Sequence, residues 1–320
     1  MTADLIDADP DAGFNYPYYL HVPESLASET PVPILVEPTN MPGPTDDFEA
    51  HLDEAERRAS SGFGRRIADE LRLPFLIPVF PRPVSDPVDW THFTHALDPE
   101  TLRIDSSPLE RIDLQLLRMV ADARSRLSDQ GVPTMDRFIA NGFSAAGKFV
   151  SRFSALHPET LISVSAGGLD GTIILPLEEA EIPVPWIDRA ELNYPVGIAN
   201  LESLTGKPFD LDAFCDVHQF LYLGADDEND TLLYPDAWTE PEIRGIAITV
   251  YGEDIHEERF PYCKAVYDEV GAAAVFRRYK DTGHDPTPAM DDVVEFHERS
   301  LAGEDIDAIR ADLGGNVPDV

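Results

Sequence analysis

The fold of this chain is decided by one stretch, Arg137-Phe138-Ile139-Ala140-Asn141-Gly142-Phe143-Ser144-Ala145-Ala146-Gly147. An apolar strand runs into Ser144 there, and the residues that follow are typical of a helix through 148–153. A strand that turns sharply into a helix holds the intervening side chain away from the sheet, in a strained backbone conformation. The small residues Gly142 and Ala146, two positions to either side, let the strand and the helix approach each other. The pattern predicts that Ser144 is an exposed nucleophile.

Strands and helices alternate along most of the chain. A capping box of Ser107 and Glu110 predicts that Ser107 caps the helix before the nucleophile strand and that Pro108 is its first residue. One strand precedes Ser144, and a helix and a second strand follow it. This order predicts a βαβ unit of a parallel sheet. The predicted fold class is α/β, a mostly parallel twisted sheet with helices on both faces. Strands are predicted at 14–22, 33–40, 73–80, 137–142, 161–168, 220–223 and 274–279, and further helices at 46–71, 239–245, 255–270 and 287–300.

One segment, 169–216, interrupts this alternation with several prolines, Trp186 and Tyr194. Two short helices are predicted inside it, around 198–205 and 209–216. The segment is either an irregular crossover or a lid, because aromatic-rich insertions after the strand that follows the nucleophile can shape a substrate pocket.

The chain is predicted to form one domain over residues 14–300, flanked by loose acidic termini at 1–13 and 302–320. Its hydrophobic fraction of 43% is ample for a core of that size. No internal repeat or low-complexity linker divides it.

The charge balance is strongly acidic, with 60 acidic and 24 basic residues and a formal net charge of −36. Nucleic-acid binding needs a basic stripe that displaces counterions, and an anionic membrane surface also attracts basic residues, so neither is an expected partner. Lysine is nearly absent, and the acidic residues are spread along the whole chain. This composition predicts a surface adapted to high salt, where the Debye length falls to about 3 Å.

The cysteines, the N-terminus and the hydropathy indicate a cytoplasmic protein. Cys215 and Cys263 are far apart in sequence and suggest neither a disulfide framework nor a metal site. The first residues lack the basic and apolar regions of a signal peptide, and no apolar run reaches about 18 residues. Apart from His284, the histidines, notably His92, His95 and His157, are interpreted as structural or surface residues. His92 and His95 could instead line the pocket, and their spacing could suit a metal, but no acidic third ligand is placed with them. No metal and no organic cofactor are expected.

A nucleophilic serine needs a base, an acid that orients the base, and donors for the oxyanion. The base is expected in a loop after the last strand, where His284 lies in a glycine turn. The acid is expected after the strand 220–223, and we choose Asp227, with Asp226 and Asp230 as alternatives. The alternating acids of this loop are also reminiscent of a calcium loop, but the glycine and the closing glutamate of that motif are missing.

The order Ser144, Asp227, His284 resembles that of the α/β-hydrolases, in particular their esterase and depolymerase-like branch. The resemblance covers about residues 14–300. The motifs that carry it are Gly142-Phe143-Ser144-Ala145-Ala146-Gly147 at the elbow, Leu156-His157-Pro158-Glu159 after the next helix, and Thr282-Gly283-His284 on the last turn. The stricter form of the elbow has glycine in place of Ala146.

The resemblance implies the α/β-hydrolase fold and a catalytic triad of Ser144, Asp227 and His284. It also implies an oxyanion hole that combines the N–H of Ala145 with that of Asn40 or Met41. The expected activity is hydrolysis of a small-molecule ester through an acyl-enzyme. The alternatives are a peptide bond as substrate, another chemistry on the same fold such as a lyase or haloperoxidase, and a non-catalytic binding protein.

Overall fold

The computed structural model describes residues 3–23, 26, 30–85, 96–184, 187–234, 238 and 240–318. Its strands are β1 (Asp4–Ile6), β2 (Tyr18–His21), β3 (Leu35–Val36), β4 (Phe75–Pro78), β5 (Phe138–Phe143), β6 (Leu161–Gly167), β7 (Glu179–Val184), β8 (Ile187–Glu191), β9 (His218–Gly224) and β10 (Ala274–Tyr279). Eight of these described strands form one sheet in the order β1-β2-β4-β3-β5-β6-β9-β10, while β7 and β8 form a separate hairpin. β1 and β2 run antiparallel to their neighbours, and all pairings from β4 to β10 are parallel.

Helices follow most of the strands. They are α1 (Phe48–Ser61), α2 (Phe63–Leu71), α3 (Pro99–Arg103), α4 (Ile112–Asp129), α5 (Ala145–Leu156), α6 (Leu201–Thr205), α7 (Leu211–Asp216), α8 (Pro241–Tyr251), α9 (Phe260–Val270), α10 (Met290–Leu301) and α11 (Ile306–Leu313). A π-helical turn, Ile255–Arg259, leads into α9, and a short 3-10 turn, Thr287–Ala289, leads into α10. Within the described residues, no helix combines the length and the apolar character that a membrane crossing needs.

The sheet is buried on both faces, which explains the nearly continuous apolar character of its strands. Successive side chains of a strand point to opposite faces, so Phe138 packs in one core cluster and Ile139 in the other. The first cluster also holds Phe149 of α5, and the second holds Phe296 of α10. The predicted arrangement, a mostly parallel sheet with helices on both faces, is confirmed.

Two helices differ from the prediction by more than their end residues, and α8 also continues to Tyr251, beyond the predicted end at 245. The helix predicted at 46–71 is divided at Gly62, whose extended backbone (ψ 177°) ends α1 and caps α2. The capping box at Ser107 is wrong as a helix start, because Arg111 adopts a left-handed conformation (φ 47°) and α4 begins only after it. Ser107 Oγ instead accepts a hydrogen bond of 3.3 Å from the N–H of Leu109, within a separate turn.

The terminal segments are more structured than the loose termini predicted from the sequence. Residues 4–6 form β1, which pairs with β2. At the other end, α11 packs beside β10, and Gly315 then exchanges hydrogen bonds of 3.1 Å with Phe276 and Arg278 of that strand. Both segments therefore extend the sheet or cover its edge.

The inserted segment 169–216 contains the hairpin β7–β8 and the helices α6 and α7, close to the two short helices predicted there. Tyr194 is fully buried, and its hydroxyl donates a hydrogen bond to the backbone carbonyl of Leu97, so it is part of the core. Trp186 lies outside the described residues. Whether the segment acts as a lid stays a prediction.

Candidate active site

Ser144 lies at a sharp turn between β5 and α5. Its backbone has φ 61° and ψ −127°, a conformation that non-glycine residues adopt only when their surroundings enforce it. Its N–H donates a 2.8 Å hydrogen bond to the carbonyl of Gly167, which ties the turn to β6. A Cβ on Gly142 would lie 2.2 Å from the carbonyl oxygen of Ala146, and one on Gly147 would lie 2.6 Å from that of Gly167. Gly142 is therefore required as predicted, and Gly147 is a second position of the turn that cannot carry a side chain.

The loops after β9 and β10 bring Asp227 and His284 together. The N–H of Asp226 donates to the carbonyl of Thr282 at 2.8 Å, which joins the two loops. His284 Nδ1 lies 2.8 Å from Asp227 Oδ2, and Asp227 is only 2% exposed. Asp226 is exposed, and Asp230 pairs with Arg259 at 2.7 Å. Of the three acids considered for this loop, Asp227 is the one in contact with the imidazole.

The other ring nitrogen of His284 faces Asn229. The distance from Asn229 Nδ2 to His284 Nε2 is 3.2 Å, and the ring packs against Phe143 with centroids 4.6 Å apart. A neutral imidazole that donates its Nδ1–H to Asp227 keeps an acceptor lone pair on Nε2, which suits this amide donor. Among the described residues, no hydrogen bond joins Ser144 to His284. The sequence pattern does not point to Asn229, although it lies in the predicted acid loop.

The backbone around Ser144 offers two free donors. The N–H groups of Ala145 and Asn40 make no hydrogen bond within the described part of the chain. The N–H of Met41, in contrast, donates to Thr39 Oγ1 at 3.2 Å. The side chain of Asn40 reaches the elbow, where its Nδ2 lies 3.4 Å from the carbonyl oxygen of Phe143.

A small cavity of about 70 Å³ extends from Ser144 and Ala145 along the first turns of α5. Its described lining includes four charged side chains, namely Asp98, Lys148, Arg152 and Asp170. The sequence interpretation does not include them in the site. The sequence does hold one relevant signal: Lys148 and Arg152 are four residues apart on the helix after Ser144, and therefore share one of its faces.

These charges form two ion pairs. Lys148 Nζ lies 2.9 Å from Asp170 Oδ2 and 2.6 Å from Thr231 Oγ1. Arg152 pairs with Asp98 and also donates to the carbonyl of Ala96 at 2.7 Å. Burial opposes ionisation of Asp170, but the charge of Lys148 and hydrogen bonds from Thr172 and Thr231 outweigh it and lower its pKa. Asp170 is therefore a carboxylate at neutral pH.

A buried polar network lies behind the elbow. Asn141 of β5 donates to Glu37, and Ser165 Oγ donates to Asn141 Oδ1 at 2.7 Å. His297 of α10 contacts Ser165 through Nε2 at 2.9 Å and Ser163 through Nδ1 at 2.8 Å. Burial lowers the pKa of His297 from 6.5 to about 3, so this imidazole is neutral at physiological pH. The network supports the strand that carries Ser144.

Among the residues that the structure describes, no group of three or more histidine, cysteine, aspartate or glutamate side chains is arranged to bind a metal ion. His92 and His95 lie outside those residues.

No family model matches the chain, and a search among curated proteins finds no match. Solved structures are similar to it. A poly(aspartic acid) hydrolase from Sphingomonas sp. KT-1 is 18% identical, with a TM-score of 0.55 over 92% of this chain and 97% of that one. A poly(3-hydroxybutyrate) depolymerase from Bordetella parapertussis is 18% identical, with a TM-score of 0.52 over 98% and 94%. Together with the strand order and the turn at Ser144, these similarities show that the chain has the α/β-hydrolase fold.

Proposed function

We propose that this protein is a serine hydrolase that cleaves a carboxylic ester through an acyl-enzyme intermediate. The observation that carries the proposal is the 2.8 Å contact between His284 and Asp227, at the same end of the sheet as the strained turn that exposes Ser144. A buried carboxylate that accepts from Nδ1 leaves Nε2 as the base, as nucleophilic catalysis by serine requires. The similar solved structures, named as a hydrolase and a depolymerase, favour hydrolysis over other chemistry on this fold.

In the proposed mechanism, His284 Nε2 accepts the proton of Ser144 Oγ as that oxygen attacks the ester carbonyl. This step requires Nε2 to exchange its contact with Asn229 for one with Ser144, and catalytic hydrogen bonds are often formed only once substrate binds. His284 then protonates the leaving alcohol, and the serine ester remains. Water, deprotonated by the same nitrogen, attacks that ester and releases the acid.

The oxyanion formed in both steps is held by backbone donors. Ala145 at the N-terminus of α5 and Asn40 in the loop after β3 are our candidates, because both N–H groups are free of acceptors in the described chain. Met41 is the weaker choice, since its N–H is already engaged by Thr39. One such donor is typically worth about 3 kcal/mol of transition-state stabilisation.

A fluorophosphonate probe tests the proposal. We expect it to label the wild-type protein in molar salt and not Ser144→Ala, and we expect the same variant to lose hydrolysis of short p-nitrophenyl esters. Circular dichroism of both proteins at the same salt concentration shows whether they are folded. Labelling that persists in folded Ser144→Ala would place the nucleophile elsewhere.

A second candidate is a non-catalytic binding protein with the same fold. One observation favours it, namely that His284 Nε2 pairs with Asn229 while no described hydrogen bond reaches it from Ser144. Under this alternative the folded wild-type protein is neither labelled by the probe nor active on any ester of the series.

A further inference from the structure

The cavity beside Ser144 is charged where an esterase that accepts an alkyl chain would be apolar. Lys148 and Arg152 are buried residues, whose side chains are only 10% and 6% exposed. Both line the cavity that begins at Ser144 and Ala145. A buried charge next to open space needs a polar partner, because an unpaired one is strongly destabilising.

Both cations keep donors that the described residues leave unused. Arg152 contacts Ala96 and Asp98 through Nη1, while its Nε and Nη2 donate to no described residue. Lys148 carries three N–H donors and uses two of them, on Asp170 and Thr231, within the described chain. Two side chains of the cavity lining therefore keep cationic donors that have no partner in the described chain.

The carboxylates of the two ion pairs do not use up the cationic donors of the cavity. Asp170 is occupied by donors of the protein: its Oδ2 accepts from Lys148 and from the N–H and hydroxyl of Thr231, and its Oδ1 accepts from Thr172. Asp98 has a second cation nearby, since the charge of Arg82 interacts with it. Both carboxylates are therefore already engaged by cations of the protein, Asp170 by Lys148 and Asp98 by Arg152.

Stability alone does not explain these pairs. Buried ion pairs recover their desolvation cost poorly, and apolar residues of similar volume often give an equally stable or more stable protein. Apolar side chains in place of these two ion pairs could also fill the space of the cavity. The arrangement is better suited to binding, because two cationic side chains that line a small space next to the proposed nucleophile keep donors without a partner in the described chain.

We infer that this cavity binds a carboxylate of the substrate, so that the enzyme prefers esters whose acyl or alcohol part carries a short acidic group. The inference rests on the proposed function and names its substrate class. Arg152 Nε and Nη2 would donate two parallel hydrogen bonds to the carboxylate oxygens, and the third N–H of Lys148 would donate another.

Matched esters that differ in one charge test the inference with the wild-type protein. Monomethyl succinate and methyl succinamate place the carboxylate or its amide on the acyl side, and acetoxyacetate and acetoxyacetamide place it on the alcohol side. We expect kcat/KM to be about tenfold higher or more for the charged member of at least one pair, as charge-assisted hydrogen bonds imply. The side on which the preference appears identifies the part of the ester that enters the cavity.

Two variants change the charge in opposite directions. Arg152→Gln should reduce the ratio of kcat/KM for the charged ester to kcat/KM for its neutral partner toward one. Asp98→Asn keeps an acceptor for Arg152 but removes a negative charge, so the preference should increase. This second variant keeps the test decisive if Arg152→Gln does not fold.

The possible failures are distinguishable. Good hydrolysis of the neutral esters, with no preference for the charged ones in either pair, would overturn the inference and leave the proposed function standing. Absence of both hydrolysis and probe labelling in folded protein would overturn the two together.

Discussion

Asp227 and its neighbour Asp226 allow a matched test at the scale of single residues. Asp227 is buried against His284, whereas Asp226 is exposed. We expect Asp227→Asn to lower kcat by about 10³–10⁴-fold, because an amide in that place favours the wrong imidazole tautomer. Asp226→Asn should have a rate close to that of the wild type. Equal rates of ester hydrolysis in the two variants would contradict the assignment of the acid.

His297 is a residue whose burial links stability to pH. Its pKa is about 3 in the folded protein, while in the unfolded chain it titrates near 6.5. The unfolded state therefore binds the extra proton first, and stability that is fully present above pH 6.5 is lost as the pH falls toward 3. Below pH 6.5 the loss is about 1.4 kcal/mol per pH unit from this group.

The variant His297→Gln isolates this effect. It keeps hydrogen-bonding groups near Ser163 and Ser165 but cannot take up the proton. We expect the stability difference between wild type and variant to shrink by about 1.4 kcal/mol between pH 7.5 and pH 5.5. Urea denaturation at fixed molar salt measures this change. A stability difference that stays constant with pH would show that the pKa of His297 is not lowered on folding.

At the scale of elements, two glycines inside helices give opposite predictions. Gly147 in α5 is in close contact with β6, and an alanine Cβ there would lie 2.6 Å from a backbone oxygen. Gly245 in α8 has no heavy atom within 4 Å of the same position. Gly147→Ala should destabilise the protein by about 1–3 kcal/mol, and Gly245→Ala should stabilise it by about 0.5–1 kcal/mol. Thermal melts of both variants in the same buffer check the signs.

The elements also show what a sequence can predict. A local pattern of apolar and small residues predicts the strand before Ser144, the sharp turn at that residue and the helix after it. The glycine turn that carries His284 is also predicted by a local pattern. The start of α4 depends on one left-handed residue, Arg111, which nothing in the capping pattern indicates. Asp227 could not be separated from its acidic neighbours, because only the contact between two distant loops decides which side chain faces the imidazole.

The same argument explains why the charged cavity was not predicted. Lys148 and Arg152 share a helix face, but their partners Asp170 and Asp98 come from other parts of the chain. The spacing of residues along the sequence indicates the shared helix face, but it does not indicate which distant residues pair with these cations.

At the scale of the whole molecule, the net charge of −36 dominates. Exposed carboxylates repel one another over a Debye length of about 10 Å at 0.1 M salt, and over only about 3 Å at 1 M. We expect the melting temperature to rise steeply over this range of potassium chloride concentration. A neutral osmolyte at the same osmolality is the control, because it separates screening from solute exclusion. Equal melting temperatures at the two salt concentrations would contradict a salt-adapted surface.

The pairing of Gly315 with the outer strand β10 has a practical consequence for the choice of expression boundaries. An uncovered strand edge is a template for joining a second molecule. A version cut after Leu301 would lose α11 as well as this pairing, and with them the groups that shield β10. Light scattering should then reveal concentration-dependent self-association that the intact protein lacks. A purification tag is accordingly better joined beyond Val320 through a flexible linker than substituted for the last twenty or so residues.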